Sequence, residues 1–206
     1  SANGARVLGF EEAGVLAPGK LADLAIFELS HPRYFGLHDP LLGPVAEKLG
    51  IDPQRVPPGQ YLTERFPVLT VGPNPRFDLA SWDLRIFGEV ENEIRLTWDE
   101  LMALPQHDVV TDIHCVTRWS KLDTEWQGVS VDTLLAEAGE DAPFVVAFCD
   151  GGYTTNLALE DVTDGKAWVA FAFNGEPLDP EHGGPARLLV PHLYFWKSAK
   201  WVRGLQ

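Results

Sequence analysis

Apolar and polar side chains alternate most plainly over "WDLRIFGEV", residues 82–90, the pattern of a strand with one buried face. "TWDELMALP" follows with a helical signature: Thr97 and Glu100 stand in capping-box spacing and Pro105 closes a short helix. "HDVVTDIHC" predicts the next strand, ending on Cys115, whereas "VTRWSKLDTEWQG" mixes polar and aromatic residues without a clear period. "SVDTLLAEAG" predicts a helix capped by Ser130 and stopped by Gly139. "PFVVAFCDGG" reads as a compact buried strand entering a Gly-Gly turn, and "AWVAFAFNGEPL" and "ARLLVPHLYF" as further strands around a turn at Asn174-Gly175. Strands dominate and the helices between them are short, so the expected class is α+β, mainly a mixed β-sheet.

The first fifty residues read differently. "GVLAPGKLADLAIFEL" predicts a turn at Pro18-Gly19 and a strand from Ala22 to Leu29, and "HDPLLGPVAEKLG" a short helix that stops at Gly50. "DPQRVPPGQ", Asp52 to Gln60, is proline-rich enough to be a linker or an extended arm. The expected organisation is an N-terminal segment over 1–50, a linker over 51–60 and the main domain over 61–206.

Composition narrows the function. Hydrophobic residues make up 45% of the 206, ample for a sizeable core, and no apolar run is long enough for a membrane-spanning helix. The start, "SANGARVLGF", has neither a signal-peptide pattern nor an initiator Met, so the chain is expected to be partial or processed. A cytoplasmic location is expected, with a periplasmic one left open. The net charge of −14 argues against nucleic acid as a partner. Yet the last acidic residue is Glu181, and from His182 to Gln206 stand Arg187, Lys197, Lys200, Arg203 and two histidines without an acid. The same stretch is rich in aliphatic and aromatic residues. Partly buried bases in an acidic protein call for an anion.

Two cysteines, Cys115 and Cys149, are too few for a disulfide framework or a thiolate zinc site. Cys149, inside "VVAFCDGG", reads as a small buried hydrophobe. Cys115 stands at a strand end with Arg118 close by, a cation that favours thiolate. It is either a soft-metal ligand or a nucleophile paired with His114 or His107. His114 is the adjacent residue and points to the opposite face of a strand, which makes it a poor base and tilts the reading toward the metal.

"HCVTRWS....TEWQGVSVDTLL", "FCDGGYTTNLALEDV" and "HGGPARLLVPHLYFWKSAKWV" resemble, in this order, the core of the sulfite-oxidase-like molybdopterin oxidoreductases, over residues 57–206. The resemblance implies a sulfite-oxidase-type fold and a molybdenum–molybdopterin cofactor, with the thiolate of Cys115 on the metal. It places His182, Arg187, Ser198, Ala199 and Lys200 at the phosphate and pterin, Tyr153, Thr154 and Thr155 at the cofactor or pocket wall, and Thr117 beside the metal ligand. "YLTERF" resembles the arm that reaches the cofactor in relatives. Sulfite oxidases proper carry paired arginines after the cysteine; this chain has only Arg118, and its pattern from Cys115 through Trp119 and Trp126 resembles more closely the bacterial relatives, the protein-methionine-sulfoxide reductases among them. Arg118 would orient the substrate. Trp119 and Trp126 read either as walls of a pocket for an apolar or sulfoxide substrate or as core aromatics. The implied reaction is two-electron oxygen-atom transfer on a small sulfur-containing substrate, with an external electron-transfer protein as partner. Relatives continue past "WVRG", so a C-terminal truncation is expected.

Residues Asn3 to Val45, through "G.L.PGK.ADL" and "PRYFGLHDPL", resemble the tail of amidohydrolases. The hydrolase metal ligands would lie upstream, so His31 and His38 are read as surface or turn histidines. Two other readings stand beside the main one: a metal-free cysteine-nucleophile enzyme, and a non-catalytic or truncated cofactor-binding fragment.

Overall fold

A computed structural model describes residues 50–206, apart from 71 and 139–142. The turn at Pro18-Gly19, the strand Ala22–Leu29, the helix before Gly50, His31, His38 and the helix stop at Gly139 lie outside the described residues. The chain divides into two units, Ser1–Tyr61 and Leu62–Gln206. In the first, the described residues form one 3-10 turn, Pro53–Arg55, held by the Asp52 carbonyl and side chain, and Val56 and Gln60 are buried.

The second unit carries two sheets. One has the order β1 (Tyr61–Leu62), β5 (Trp119–Ser130), β8 (Trp168–Phe173), β10 (Arg187–Leu189), with β4 (Gln106–His114) on β5 and β9 (Glu176–Pro177) on β8. The other has the order β3 (Ile94–Thr97), β2 (Asp83–Ile86), β11 (Val202–Leu205), β6 (Phe144–Cys149), β7 (Thr154–Ala158). In the second sheet β11 and β2 run parallel and the other ladders are antiparallel, so that sheet is mixed. Two short helices complete it, α1 (Trp98–Ala103) and α2 (Val131–Ala138). This is the mixed-sheet α+β architecture with few helices that the resemblance implied.

Local chemistry sets the elements. Thr97 and Glu100 close the expected capping box of α1, and Ser130 Oγ accepts from the Asp132 N–H at the start of α2. Asn174 and Gly175 have φ of 51° and 79°, the paired positive values of a tight hairpin turn between β8 and β9. The alternation of "WVAFAF" has a plain cause: Val169 and Phe171 enter one core, Ala170 between them the other. The same split separates Leu188 from Leu189 in β10. The first sheet therefore has a core on each face at β8 and β10, which is why β8 reads as apolar throughout.

The expected strand over 82–90 is shorter, Asp83–Ile86, because Gly88 turns at φ 99°. The stretch after Cys115, expected to hold no element, contains the longest strand, β5. Its periodicity is broken by a register shift against β4 between Thr111 and Ile113, which adds a residue to β5, so that Trp119 and Trp126, an odd number of residues apart, enter the same core. Gly128 is needed where β5 meets β8: a Cβ would stand 2.7 Å from the Val169 carbonyl oxygen.

Candidate functional site

Cys115 begins the turn that joins β4 to β5; the strand expected to end on it ends one residue earlier, at His114. The turn is closed by the backbone: Arg118 N–H donates to Cys115 O at 2.9 Å, and Cys115 N–H to Trp119 O at 2.9 Å. Arg118 holds φ 73° at the last position. Val116, Thr117 and Arg118 are exposed, while Cys115 is 4% exposed and belongs to a cluster with Ile113, Trp119, Trp126 and Phe195. Its Sγ accepts a hydrogen bond from Thr117 Oγ1 at 3.1 Å.

The histidines weighed as bases for a nucleophile are engaged or distant. His114 Nδ1 lies 2.8 Å from Ser120 Oγ, and burial, opposed by Asp112, holds its imidazole below the ordinary value. His107 lies seven residues back along β4 from His114, about 20 Å at strand rise. Among the described residues no group of three or more His, Cys, Asp or Glu is placed to hold a metal. A single thiolate suits a metal whose other ligands arrive with an organic cofactor.

The cations of the C-terminal stretch gather beside this cluster. Arg187, the first residue of β10, is 1% exposed. Its guanidinium donates to the carbonyls of His182 (2.7 Å) and Ser198 and lies 4.1 Å from the Phe195 ring centroid. Phe195 in turn packs on Trp119 and Trp126 beside Cys115. Lys200 Nζ donates to Thr70 Oγ1 and to the Glu181 carbonyl, both at 2.6 Å. Phe66 stacks on His182 with centroids 3.8 Å apart and planes 8° from parallel. Gly183, at φ 109°, brings the parts together: a Cβ there would lie 3.0 Å from Lys200 and 3.1 Å from Arg187 Cβ.

The electrostatics follow from burial. It pushes Arg187 down to about 9, leaving the group charged at neutral pH. Burial and then the Arg187 charge push Lys200 down to about 8, against Glu181. Burial lowers His182 as well, opposed by the Glu181 carboxylate 3.8 Å from its Nε2. His182 Nδ1 and Arg187 Nε are buried with no hydrogen-bond partner among the described residues. Such an array binds an anionic ligand rich in hydrogen-bonding groups.

Of the residues singled out in the sequence, Cys115, Thr117, His182, Arg187, Ser198, Ala199 and Lys200 come together in this neighbourhood. Ser198 and Ala199 serve it through the backbone: Ser198 O accepts from Arg187, Ala199 O accepts from Leu188, and Ser198 Oγ accepts from Val190 N–H. Tyr153 is tied to the same segment by its hydroxyl, which donates to Trp196 O at 2.9 Å, while Thr154 is exposed on β7 opposite Phe148. Trp119 and Trp126, 3% and 2% exposed, are core aromatics in this arrangement. Phe66 and Thr70 were not singled out, although "YLTERF" was the signal that held Phe66. Among the described residues, no helix is long and apolar enough to cross a membrane.

Comparison with known proteins places the chain. Residues 71–206 match the oxidoreductase molybdopterin-binding domain. The uncharacterized oxidoreductase YuiH of Bacillus subtilis is 47% identical over 155 residues, covering 74% of this chain and 78% of that protein. The protein-methionine-sulfoxide reductase catalytic subunit MsrP of Gluconobacter oxydans is 27% identical over 150 residues, 63% of this chain and 48% of that protein. Among solved structures, the sulfane dehydrogenase SoxCD of Paracoccus pantotrophus superposes with a TM-score of 0.58 at 27% identity, over 64% of this chain and 39% of that one. The chain thus spans most of YuiH but about half or less of the other two. A cysteine-bearing turn beside a buried cation array, on a pattern that covers two thirds of the residues, makes this chain a member of the sulfite-oxidase-like, molybdopterin-binding oxidoreductase family.

Proposed function

We propose that this protein uses a molybdenum–molybdopterin cofactor for two-electron oxygen-atom transfer on a small sulfur-containing substrate, with Cys115 as the protein ligand of the metal. When bound, the cofactor supplies the metal, its dithiolene and oxygen ligands, and the two-electron redox change. The chain's own residues fit that group. Cys115 offers one sulfur at a turn closed by backbone hydrogen bonds, and the buried His182 Nδ1 and Arg187 Nε have no hydrogen-bond partner among the described residues. The observation that carries the reading is the fully buried Arg187, charged and without a carboxylate partner among the described residues, one aromatic ring away from the Cys115 cluster.

In this reading Arg187, Lys200 and His182 hold the phosphate and pterin, and Ser198 and Ala199 fix the backbone around them. Tyr153, Thr154 and the arm through Phe66 flank the cofactor. Trp119, Trp126 and Phe195 exclude water from the inner side of Cys115. Arg118, exposed beside Cys115, orients the polar or anionic end of the substrate. The similarity to a methionine-sulfoxide reductase subunit and a sulfane dehydrogenase supports sulfur as the substrate's reacting element. Electrons pass to or from an external redox protein. The two free thiols are in keeping with a reducing, cytoplasmic setting.

The test is elemental analysis of protein made in a host that synthesises the cofactor, beside Cys115→Ser. About one molybdenum per chain is expected in the wild type, with the variant depleted or altered in its metal spectrum. A wild type without molybdenum, or a variant with an unchanged spectrum, overturns the assignment.

A further inference from the structure

The β4–β5 turn contains a contact that its own architecture does not require. The turn is closed by two backbone hydrogen bonds, Arg118 N–H to Cys115 O and Cys115 N–H to Trp119 O. Thr117 is exposed. Its hydroxyl nevertheless points back to Cys115 Sγ at 3.1 Å, within hydrogen-bonding reach for sulfur. The next residue, Arg118, holds φ 73°, which fixes the turn and keeps Thr117 at this place. Val116, also exposed, has no polar group to offer the sulfur.

A hydroxyl donated to a thiolate withdraws electron density from it. When the thiolate is bound to a metal, the donor weakens its push and stabilises the more reduced, more negative state. We infer that Thr117 is a positioning residue that, through its hydrogen bond to Cys115 Sγ, orients the sulfur and raises the reduction potential of the metal it binds. The inference rests on the reading of Cys115 as the metal ligand. Were the metal bound and reduced by one electron from a chemical reductant, with no bond made or broken, Thr117 would offer its hydroxyl hydrogen to Cys115 Sγ, where part of the added charge would fall. Thr117 is thereby a determinant of which electron donors and substrates the enzyme can serve, since potential sets the direction in which oxygen-atom transfer is favourable.

The experiment is a potentiometric titration of the paramagnetic molybdenum signal in the holoenzyme, comparing wild type, Thr117→Val and Thr117→Ser, with molybdenum content measured for each. Valine keeps the branched shape and the backbone preference while removing the hydroxyl; serine keeps the hydroxyl. The expected result is a midpoint potential lowered in Thr117→Val and returned toward the wild-type value in Thr117→Ser, at similar molybdenum content. Equal potentials in wild type and Thr117→Val overturn the inference while leaving Cys115 as ligand intact. An unchanged molybdenum signal in Cys115→Ser, run alongside, overturns the ligand reading itself and the inference with it.

Discussion

Arg203 and Arg187 lie sixteen residues apart in the same acid-free stretch, and the fold draws both inward, yet it treats their charges in opposite ways. Arg203, on β11, donates to both Asp83 and Asp150, and its Nε donates to the Asp83 carbonyl at 2.8 Å. Burial works against its charge, but the hydrogen bonds and charges of those two carboxylates outweigh it and hold the guanidinium above its ordinary value. Arg187, more deeply buried, has carbonyls and aromatic rings for neighbours, and burial pushes it down to about 9. The difference separates a charge used to join strands from one kept available. Arg203 ties β11 to β2 and to the end of β6 and is neutralised where it stands. Arg187 is held in place by neutral acceptors, so its charge remains uncompensated until an anion arrives.

The largest expected effect breaks the compensated side. Arg203→Met leaves Asp83, 13% exposed at its side chain, with Arg95 alone and Asp150 with no cation in the ion pairs described. Charged hydrogen bonds of this kind contribute about 1.5–3 kcal/mol, and the loss of several at once is expected to lower stability by roughly 3 kcal/mol in denaturant unfolding. Asp83 adds a pH signature. Burial raises its carboxyl, but Arg203 and Arg95 together hold it below the ordinary 3.8. The stability it contributes is therefore full above that value and lost as pH falls through the lower folded one. Acid unfolding of Arg203→Met should accordingly show a weaker pH dependence below pH 4; an identical acid limb in the two proteins would remove the carboxylate from the account.

Arg187→Met probes the other side, with a smaller cost to the fold and a specific cost to the cofactor. Removing the guanidinium leaves two carbonyls without a donor, yet it also relieves a buried charge, so the net change in stability of the cofactor-free protein is expected to stay within about 2 kcal/mol. Molybdenum retained after dialysis is expected to fall about tenfold, the lower end of the effect of removing a cofactor's buried partner. If Arg187→Met keeps its molybdenum and loses stability as Arg203→Met does, the two arginines are alike and the contrast fails.

How much of this was legible in the sequence depended on how far apart the partners lie. The cation array was visible in "HGGPAR" and "KSAK" because the stretch itself contains no acid, and Cys115 stood out at the end of an alternating run. The capping box of α1 spans three residues and needed nothing else. What escaped notice were features made by distant chain. β5 carries no simple period because an added residue interrupts its alternation opposite β4, and it is defined by its ladders to β4 and β8. Lys200 meets Thr70 across 130 residues, and Arg203 meets Asp83 across 120, so neither partner could be read from local spacing. Phe66 was within a segment noticed for its resemblance, but its stacking on His182 is a tertiary contact that no property of "YLTERF" announces.

The smallest expected effect sharpens the comparison with pH. Lys200 holds a folded value of about 8 against an ordinary 10.5, with burial and the neighbouring Arg187 charge lowering it and Glu181 opposing them. Between these values the unfolded chain binds the extra proton and the folded one does not, so unfolding free energy rises with pH across that window. Below pH 8 the cost of the buried ammonium is present in full. The cofactor-free protein should therefore gain stability as pH goes from 8 to 10, while its hold on an anionic cofactor weakens through the same range. Arg187, titrating higher, keeps its charge longer. Retention of molybdenum is expected to fall roughly threefold between pH 7 and pH 9, about half of a tenfold step in free energy. In Lys200→Met both trends should flatten, because the group whose proton links them is gone. A wild type whose stability and cofactor retention move in the same direction over this window would show that Lys200 faces a compensating charge, as Arg203 does, and that the uncompensated array ends at Arg187.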